Sequence, residues 1–278
     1  MKHQTEFLRS ADGTQLFMQS WLPPDRTPEA IVGLLHGWSD HSGRYSNVVE
    51  RLLPEGFGVY GIDLRGHGKS DGQRGHVNRW DEYREDAHAF VTLLERRYPQ
   101  TPVFLIGHSM GGLVLLEYAV HHPGRALAGM VVSSPLLSTP NVSPALRTVG
   151  QVLSRVMPRF SINPGTDDNT LSRDPKTTNE YAADPLVHQR VSARASTEMS
   201  QAQAFTLHNL DAARYPLLLI YGDADQLVPP HVSREVFADI GAADKTRHEY
   251  EGGYHELFND IIKQQVLDDV LAWLRQHR

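Results

Sequence analysis

Residues 103–120 read VFLIGHSMGGLVLLEYAV. The first four form a short apolar run, and from Leu113 onward apolar residues return at helical spacing. Between the two runs lies Gly107-His108-Ser109-Met110-Gly111, a match to G-x-S-x-G. A strand that turns at once into a helix holds its serine in strained backbone geometry, and the flanking glycines let helix and strands approach without Cβ clashes. The pentapeptide alone is a weak signal. Placed between a strand and a helix it becomes a strong one, and it predicts a nucleophile elbow with Ser109 at its tip.

The same grammar repeats along the chain. Apolar runs without polar alternation occur at Ile31–Leu35, Val59–Ile62, Met130–Val132 and Leu217–Tyr221, with a weaker one at Thr246–Tyr250. Such runs suit strands covered on both faces. Helical patterns fall between or after them at Tyr45–Leu53, Trp80–Arg97, Leu113–His121, Val232–Ile240 and Leu257–Gln276. Two further extended runs, residues 4–9 and 15–21, flank Ala-Asp-Gly-Thr, a hairpin signal. Strand and helix in alternation predict an α/β fold with a mostly parallel central sheet and helices on both faces.

One interval breaks the pattern. Between Val132 and Leu217 lie about 80 residues with no convincing strand, where an α/β loop needs about 2–6. The expected organisation is therefore a core of residues 1–135 and 211–278 with a helical cap, residues 136–210, inserted after the sixth strand. Val142, Leu146, Val149, Leu153 and Val156 recur at three- and four-residue spacing and predict an amphipathic helix. Its apolar stripe either packs on the main domain or also meets a lipid chain or a membrane surface.

Composition narrows the function classes. The 278 residues are 40% hydrophobic and 22% charged, ordinary for a globular protein, and the net charge of −6 speaks against a nucleic-acid partner. No cysteine is present, which removes thiolate nucleophiles and thiolate metal sites. There is no H-E-x-x-H, so neither a metal nor a cofactor is expected. The opening residues MKHQTEFLRSADGTQ carry no apolar core of a signal peptide, and no run is long enough to span a bilayer, so a cytoplasmic protein is expected.

A serine hydroxyl attacks well at neutral pH only when a base takes its proton and an acid orients that base. In this architecture the order is Ser, Asp or Glu, His, each on a loop after a strand. Asp225 follows LLLIYGDA, and His255 follows HEYEGGY. Asp223 in the same GDAD is the rival. Asp225 is preferred because it lies further past the strand end and leads into Gln-Leu-Val-Pro-Pro. Among the 15 histidines most are ordinary surface or turn residues, with His121 and His122 at a helix end as the type case. After IVGLL the chain turns through His36-Gly37-Trp38-Ser39. The amides of Trp38 and Met110 are then candidate donors to an oxyanion, each worth about 3 kcal/mol. Asp63 and Arg65, in IDLRGHGKSDG, read as a structural loop because the stretch lacks the spacing of a phosphate loop.

Taken together, HGWSDHSGRY, YGIDLRGHGKSDG, VFLIGHSMGG, YGDADQLVPP and YEGGYHELFND resemble the monoacylglycerol lipase and lysophospholipase branch of the α/β-hydrolases, from about Thr5 to the C-terminus. NTLSRDP and EYAADPLV look like that branch's cap. The resemblance implies the α/β-hydrolase fold, a Ser109–Asp225–His255 triad, oxyanion donors at Trp38 and Met110, and a glycerol-binding end near Asp40, Arg44 and Tyr181. It implies a small lipid ester as substrate, while transient membrane contact through the cap follows from the second reading of the amphipathic helix. The oxyanion position of animal members is usually small, whereas here it is Trp38, which bears on chain-length preference. Lysophospholipase or general carboxylesterase activity are alternative hydrolase readings, and a noncatalytic binding module is the alternative from another class. Epoxide hydrolase or dehalogenase chemistry would need a carboxylate where Ser109 stands.

Overall fold

The computed structural model describes residues 1–138, 144–165 and 167–278, without the side chains of 144–147. The chain forms strands β1 (Lys2–Arg9), β2 (Gln15–Leu22), β3 (Ala30–Leu35), β4 (Phe57–Ile62), β5 (Val103–His108), β6 (Gly129–Ser133), β7 (Ser161–Ile162), β8 (Val191–Ser192), β9 (Leu217–Gly222) and β10 (Lys245–Tyr250). Its helices are α1 (Ser46–Leu52), α2 (Asp81–Arg97), α3 (Met110–His121), α4 (Pro144–Val156), α5 (Pro175–Ala183), α6 (Ala193–His208), α7 (Pro230–Asp239) and α8 (Lys263–His277).

Every residue of β3, β4, β5, β6 and β9 is buried, the physical origin of their unbroken apolar runs. They lie in an eight-stranded sheet of order β1-β2-β4-β3-β5-β6-β9-β10. The β1–β2 hairpin is antiparallel and so is its junction with β4, while the rest of the sheet is parallel. Successive side chains feed opposite faces. Ile31 and Leu35 pack with Phe90, Leu94, Leu113 and Leu116 of α2 and α3. Val32 and Leu34 pack with Val48 and Leu52 of α1 and with Val266, Val270 and Leu274 of α8. Gly33 is needed in the first layer, because a Cβ there would lie 2.9 Å from the Phe90 ring.

Several boundaries depart from the sequence reading. Helix α3 starts at Met110 rather than Leu113, because Gly111 and Gly112 sit in its first turn, where lack of a side chain is tolerated for the close approach it permits. The pattern over 257–276 divides into a short 3-10 turn at Leu257–Asn259 and α8 from Lys263. Asp260, wholly buried at the break, receives Arg173 Nη2 at 2.6 Å. The inserted segment also contains strand pairing: Ser161 and Ile162 oppose Ser192 and Val191. Two residues are too few to show a period.

The insertion's second half is tied to the core. His188 N–H bonds to Ser39 O (3.3 Å), the Trp38 indole N–H to Arg190 O (3.1 Å), and His41 Nε2 lies 2.9 Å from Asp184 Oδ2. Helix α6 packs on α3, and α4 packs on α6. The expected packing of the α4 stripe is corrected in part. Val149 and Val156 are 52% and 68% exposed, Leu153 is half-buried, and Ser154 is the buried position. Val142 lies outside the described residues, as does the Leu146 side chain. Among the described residues no helix is long and apolar enough to cross a membrane.

Candidate active site

Ser109 caps α3 with φ 52° and ψ −113°, a left-handed conformation that costs about 1–3 kcal/mol for a non-glycine residue. Close packing holds it there. A Cβ on Gly111 would stand 2.3 Å from Leu35 O, and one on Gly107 would stand 2.5 Å from Gly111 O. The elbow is thus pressed against β3, and neither glycine position accepts a side chain. Ser109 N–H bonds to Ser133 O at 2.9 Å, which anchors the tip to the end of β6.

His255 arrives on the loop after β10. Its Nδ1 lies 2.7 Å from Asp225 Oδ2, and both residues are buried. Asp225 Oδ1 accepts from the amides of Leu227 (2.8 Å) and Val228 (3.0 Å), so the carboxylate is gripped on one oxygen and offers the other to histidine. Asp223 turns elsewhere, accepting from Gly252 N–H at 2.6 Å. The His255 ring lies 4.8 Å from the ring of His108, the neighbour of Ser109, tilted by 55° to it. Burial alone would push the His255 imidazole down, but the facing Asp225 carboxylate outweighs it and the net shift is upward. Burial would raise Asp225, and His255 with the two amides brings it below the usual range. His108 is driven down to about 3 by burial and then by His255, so it stays neutral.

Trp38 and Met110 are the residues expected to offer backbone donors. Among the described residues neither amide is paired with an acceptor. Ser39, next to Trp38, has φ 67°, and Ser134 has φ 43°. With Ser109 these are the described non-glycine residues at positive φ, and all three surround the site. Ser134 was not singled out from sequence. Its hydroxyl donates to His255 O at 3.1 Å, so the end of β6 touches both the Ser109 turn and the His255 loop. The Trp38 ring packs edge-on against His67 (5.2 Å) and His188 (6.3 Å), between core and insertion.

Asp40, Arg44 and Tyr181 come together as one cluster. Arg44 Nη1 bonds to Asp40 Oδ1 at 3.1 Å, and the Tyr181 ring lies 4.6 Å from the guanidinium. The cluster has a fourth member that sequence reasoning missed, Glu256, which takes both terminal nitrogens of Arg44. The available signal was an acid next to His255 in YHELFND. A polar cavity of about 330 Å³ adjoins the cluster, lined in part by Arg44, Asn47, Thr177 and Asn259. Asp63 and Arg65 act as loop fasteners: Asp63 Oδ1 holds Ser42 Oγ at 2.6 Å, and Arg65 is bidentate on buried Asp86. Among the described residues no cluster of three or more metal-ligating side chains is present.

The histidines predict a pH dependence of stability. Burial is the leading cause that moves His36, His67 and His108 below 6.5, and it brings His188 to about 4. A histidine depressed in the folded state lets the unfolded chain bind the proton first. Stability is therefore full above about 6.5 and is lost as pH falls toward about 4, at about 1.4 kcal/mol per pH unit for each fully buried group in that window. His255, raised when folded, works in the opposite sense but is one group against several. Urea midpoints are expected to be lower at about pH 5 than at about pH 7. A flat or rising midpoint would contradict the neutral assignment.

An elbow serine on a parallel sheet, a buried histidine–carboxylate pair beside it and unpaired amides at the elbow define a serine hydrolase of the α/β-hydrolase class. The family profile described as "Serine aminopeptidase, S33" matches residues 26–262. A monoacylglycerol lipase of Mycolicibacterium smegmatis is 36% identical over 95% of this chain and 94% of its own. The monoglyceride lipase of Homo sapiens is 32% identical over 97% of this chain and 89% of its own. The crystal structure of Paleococcus ferrophilus monoacylglycerol lipase superposes with a TM-score of 0.84 at 34% identity, covering 95% of this chain and 99% of that one. The chain belongs to this serine hydrolase family, in its monoacylglycerol lipase branch.

Proposed function

We propose that the protein hydrolyses monoacylglycerol, releasing fatty acid and glycerol, with Ser109, His255 and Asp225 as its triad. The observation that carries the reading is the buried 2.7 Å contact of His255 with Asp225, beside an elbow that presents Ser109. Ser109 Oγ attacks the ester carbonyl carbon while His255 takes the hydroxyl proton. The carbonyl oxygen becomes an oxyanion facing the amides of Trp38 and Met110. His255 then protonates the glycerol oxygen as the C–O bond breaks, leaving an acyl-enzyme. Water repeats the sequence: its proton passes to His255, its oxygen attacks the acyl carbon, and Ser109 leaves reprotonated. Asp225 stabilises the imidazolium in both halves.

Residues 136–210 serve in this reading as the cap, and the cluster of Asp40, Arg44 and Tyr181 marks the glycerol end. The deciding experiment compares turnover of monoacylglycerols of graded chain length with matched lysophosphatidylcholine, alongside fluorophosphonate labelling of Ser109. Faster lysophospholipid turnover would move the assignment to a lysophospholipase. Absence of labelling would leave a binding module.

Transient membrane contact through the cap belongs to the same reading. Val149, Val152, Val156, Met157, Phe160 and Ile162 are all exposed, and Arg155 and Arg159 beside them are exposed too. An apolar strip with basic neighbours suits an anionic bilayer. Flotation with phosphatidylglycerol vesicles is expected to carry the protein, and Val152→Glu to weaken binding several-fold; equal flotation of both would remove the cap from the contact.

A further inference from the structure

We infer that Glu256 is a positioning residue of the reaction: through Arg44 it fastens the loop carrying His255 to the loop carrying the Trp38 amide, and its charge supports the imidazolium. This rests on the assignment of His255 as the base.

The geometry is that of a buried junction. Glu256 follows His255 directly and is 5% exposed. Its Oε1 and Oε2 receive Arg44 Nη1 and Nη2 at 2.9 and 2.7 Å, and Asn259 Nδ2 adds a bond to Oε2 at 3.1 Å. Arg44 Nη1 also bonds to Asp40 at 3.1 Å, two residues beyond Trp38. The Glu256 amide donates to Leu171 O of the insertion at 2.8 Å, and Tyr181 lies on the guanidinium. Base loop, oxyanion loop and insertion therefore meet at the Glu256–Arg44 pair. A planar guanidinium held at two points transmits orientation as well as distance.

Stability is a poor explanation for such a junction, because taking three charges out of water costs about what their attraction returns. The charges also fail to cancel: Asp40 and Glu256 face one Arg44, leaving a net negative charge in the cluster. Burial alone would raise the Glu256 carboxyl, but the Arg44 guanidinium overrides it and keeps Glu256 ionised. The groups around His255 are then Asp225, neutral His108 and this cluster, with Tyr181 over the Arg44 guanidinium, Tyr45 next to Arg44 in the chain and Asp168 beyond. During acylation His255 gains a proton that the substrate complex lacks, so the net negative charge favours the reacting state over the resting one.

The test uses E256Q, E256D and R44K in the full chain. E256Q removes the charge and leaves Arg44 less neutralised. Its kcat is expected to fall about 10-fold or more with KM nearly unchanged, and the acid limb of kcat/KM to move down by about half a pH unit or more. E256D keeps the charge but shortens the reach, and R44K keeps the cation but loses the two-point grip. Both are expected to lose kcat while holding the wild-type acid limb, a split that a purely structural role would not produce. Wild-type kcat and acid limb in folded E256Q overturn the inference, as does wild-type kcat in E256D or R44K. Fluorophosphonate labelling of the wild type separates the two levels, since its failure would strike at the triad and not at Glu256.

Discussion

Ser109→Ala is expected to lower kcat by about a million-fold, the scale of losing a triad nucleophile, while an ester analogue still binds. Alanine keeps the Cβ, so the strained turn at φ 52° and the contacts of Gly107 and Gly111 are the same in the variant. What disappears is the atom that attacks. Residual turnover of about 10³–10⁴ over water would come from the oxyanion donors and binding alone. Steady-state turnover and fluorophosphonate labelling measure both parts, and wild-type-like turnover would end the assignment.

Asp225→Asn is expected to cost about 10⁴ in kcat, and the structure supplies the reason. Oδ1 of Asp225 is held by the amides of Leu227 and Val228, so in the variant that position must be taken by the asparagine carbonyl oxygen. The NH₂ group then faces His255 Nδ1 and forces the imidazole to carry its proton on Nε2. In that tautomer histidine has no lone pair to take the proton from Ser109. Asp223→Asn should stay within a few-fold of wild type, because its partner is the Gly252 amide and an asparagine oxygen accepts that bond equally well. Equal losses in the two variants would contradict the choice of Asp225.

The parallel strands were legible because both their faces are covered, which writes itself into the chain as runs such as Ile31–Leu35 and Leu217–Tyr221. The elbow was legible for a related reason: Gly111 meets the carbonyl of Leu35 too closely for any other residue. Features that depend on distant partners left no such trace. Glu256 acquires its meaning from Arg44, 212 residues away, and Ser134 from the carbonyl of His255, 121 residues away. The break before α8 escaped because Asp260 looks like one more polar helix position until Arg173 is seen against it. The stripe of α4 showed its period and not its direction, since periodicity says which residues share a face and nothing about what that face meets.

The insertion joins strands that are neighbours: β6 and β9 pair directly and in parallel, Met130 opposite Leu217. A parallel pair needs a crossover from the end of one strand to the start of the next. Helix α6, packed on α3, performs that return, while α4 packs on α6 and α5 lies near the cavity. The insertion is thus two inheritances in one stretch of chain. Its last helix belongs to the crossover of the sheet and is not free to drift, and Leu171, Arg173, Asp184 and His188 are tied to the core, whereas α4 is part of neither. The stretch around α4 can therefore vary in length and composition without rebuilding the eight-stranded sheet.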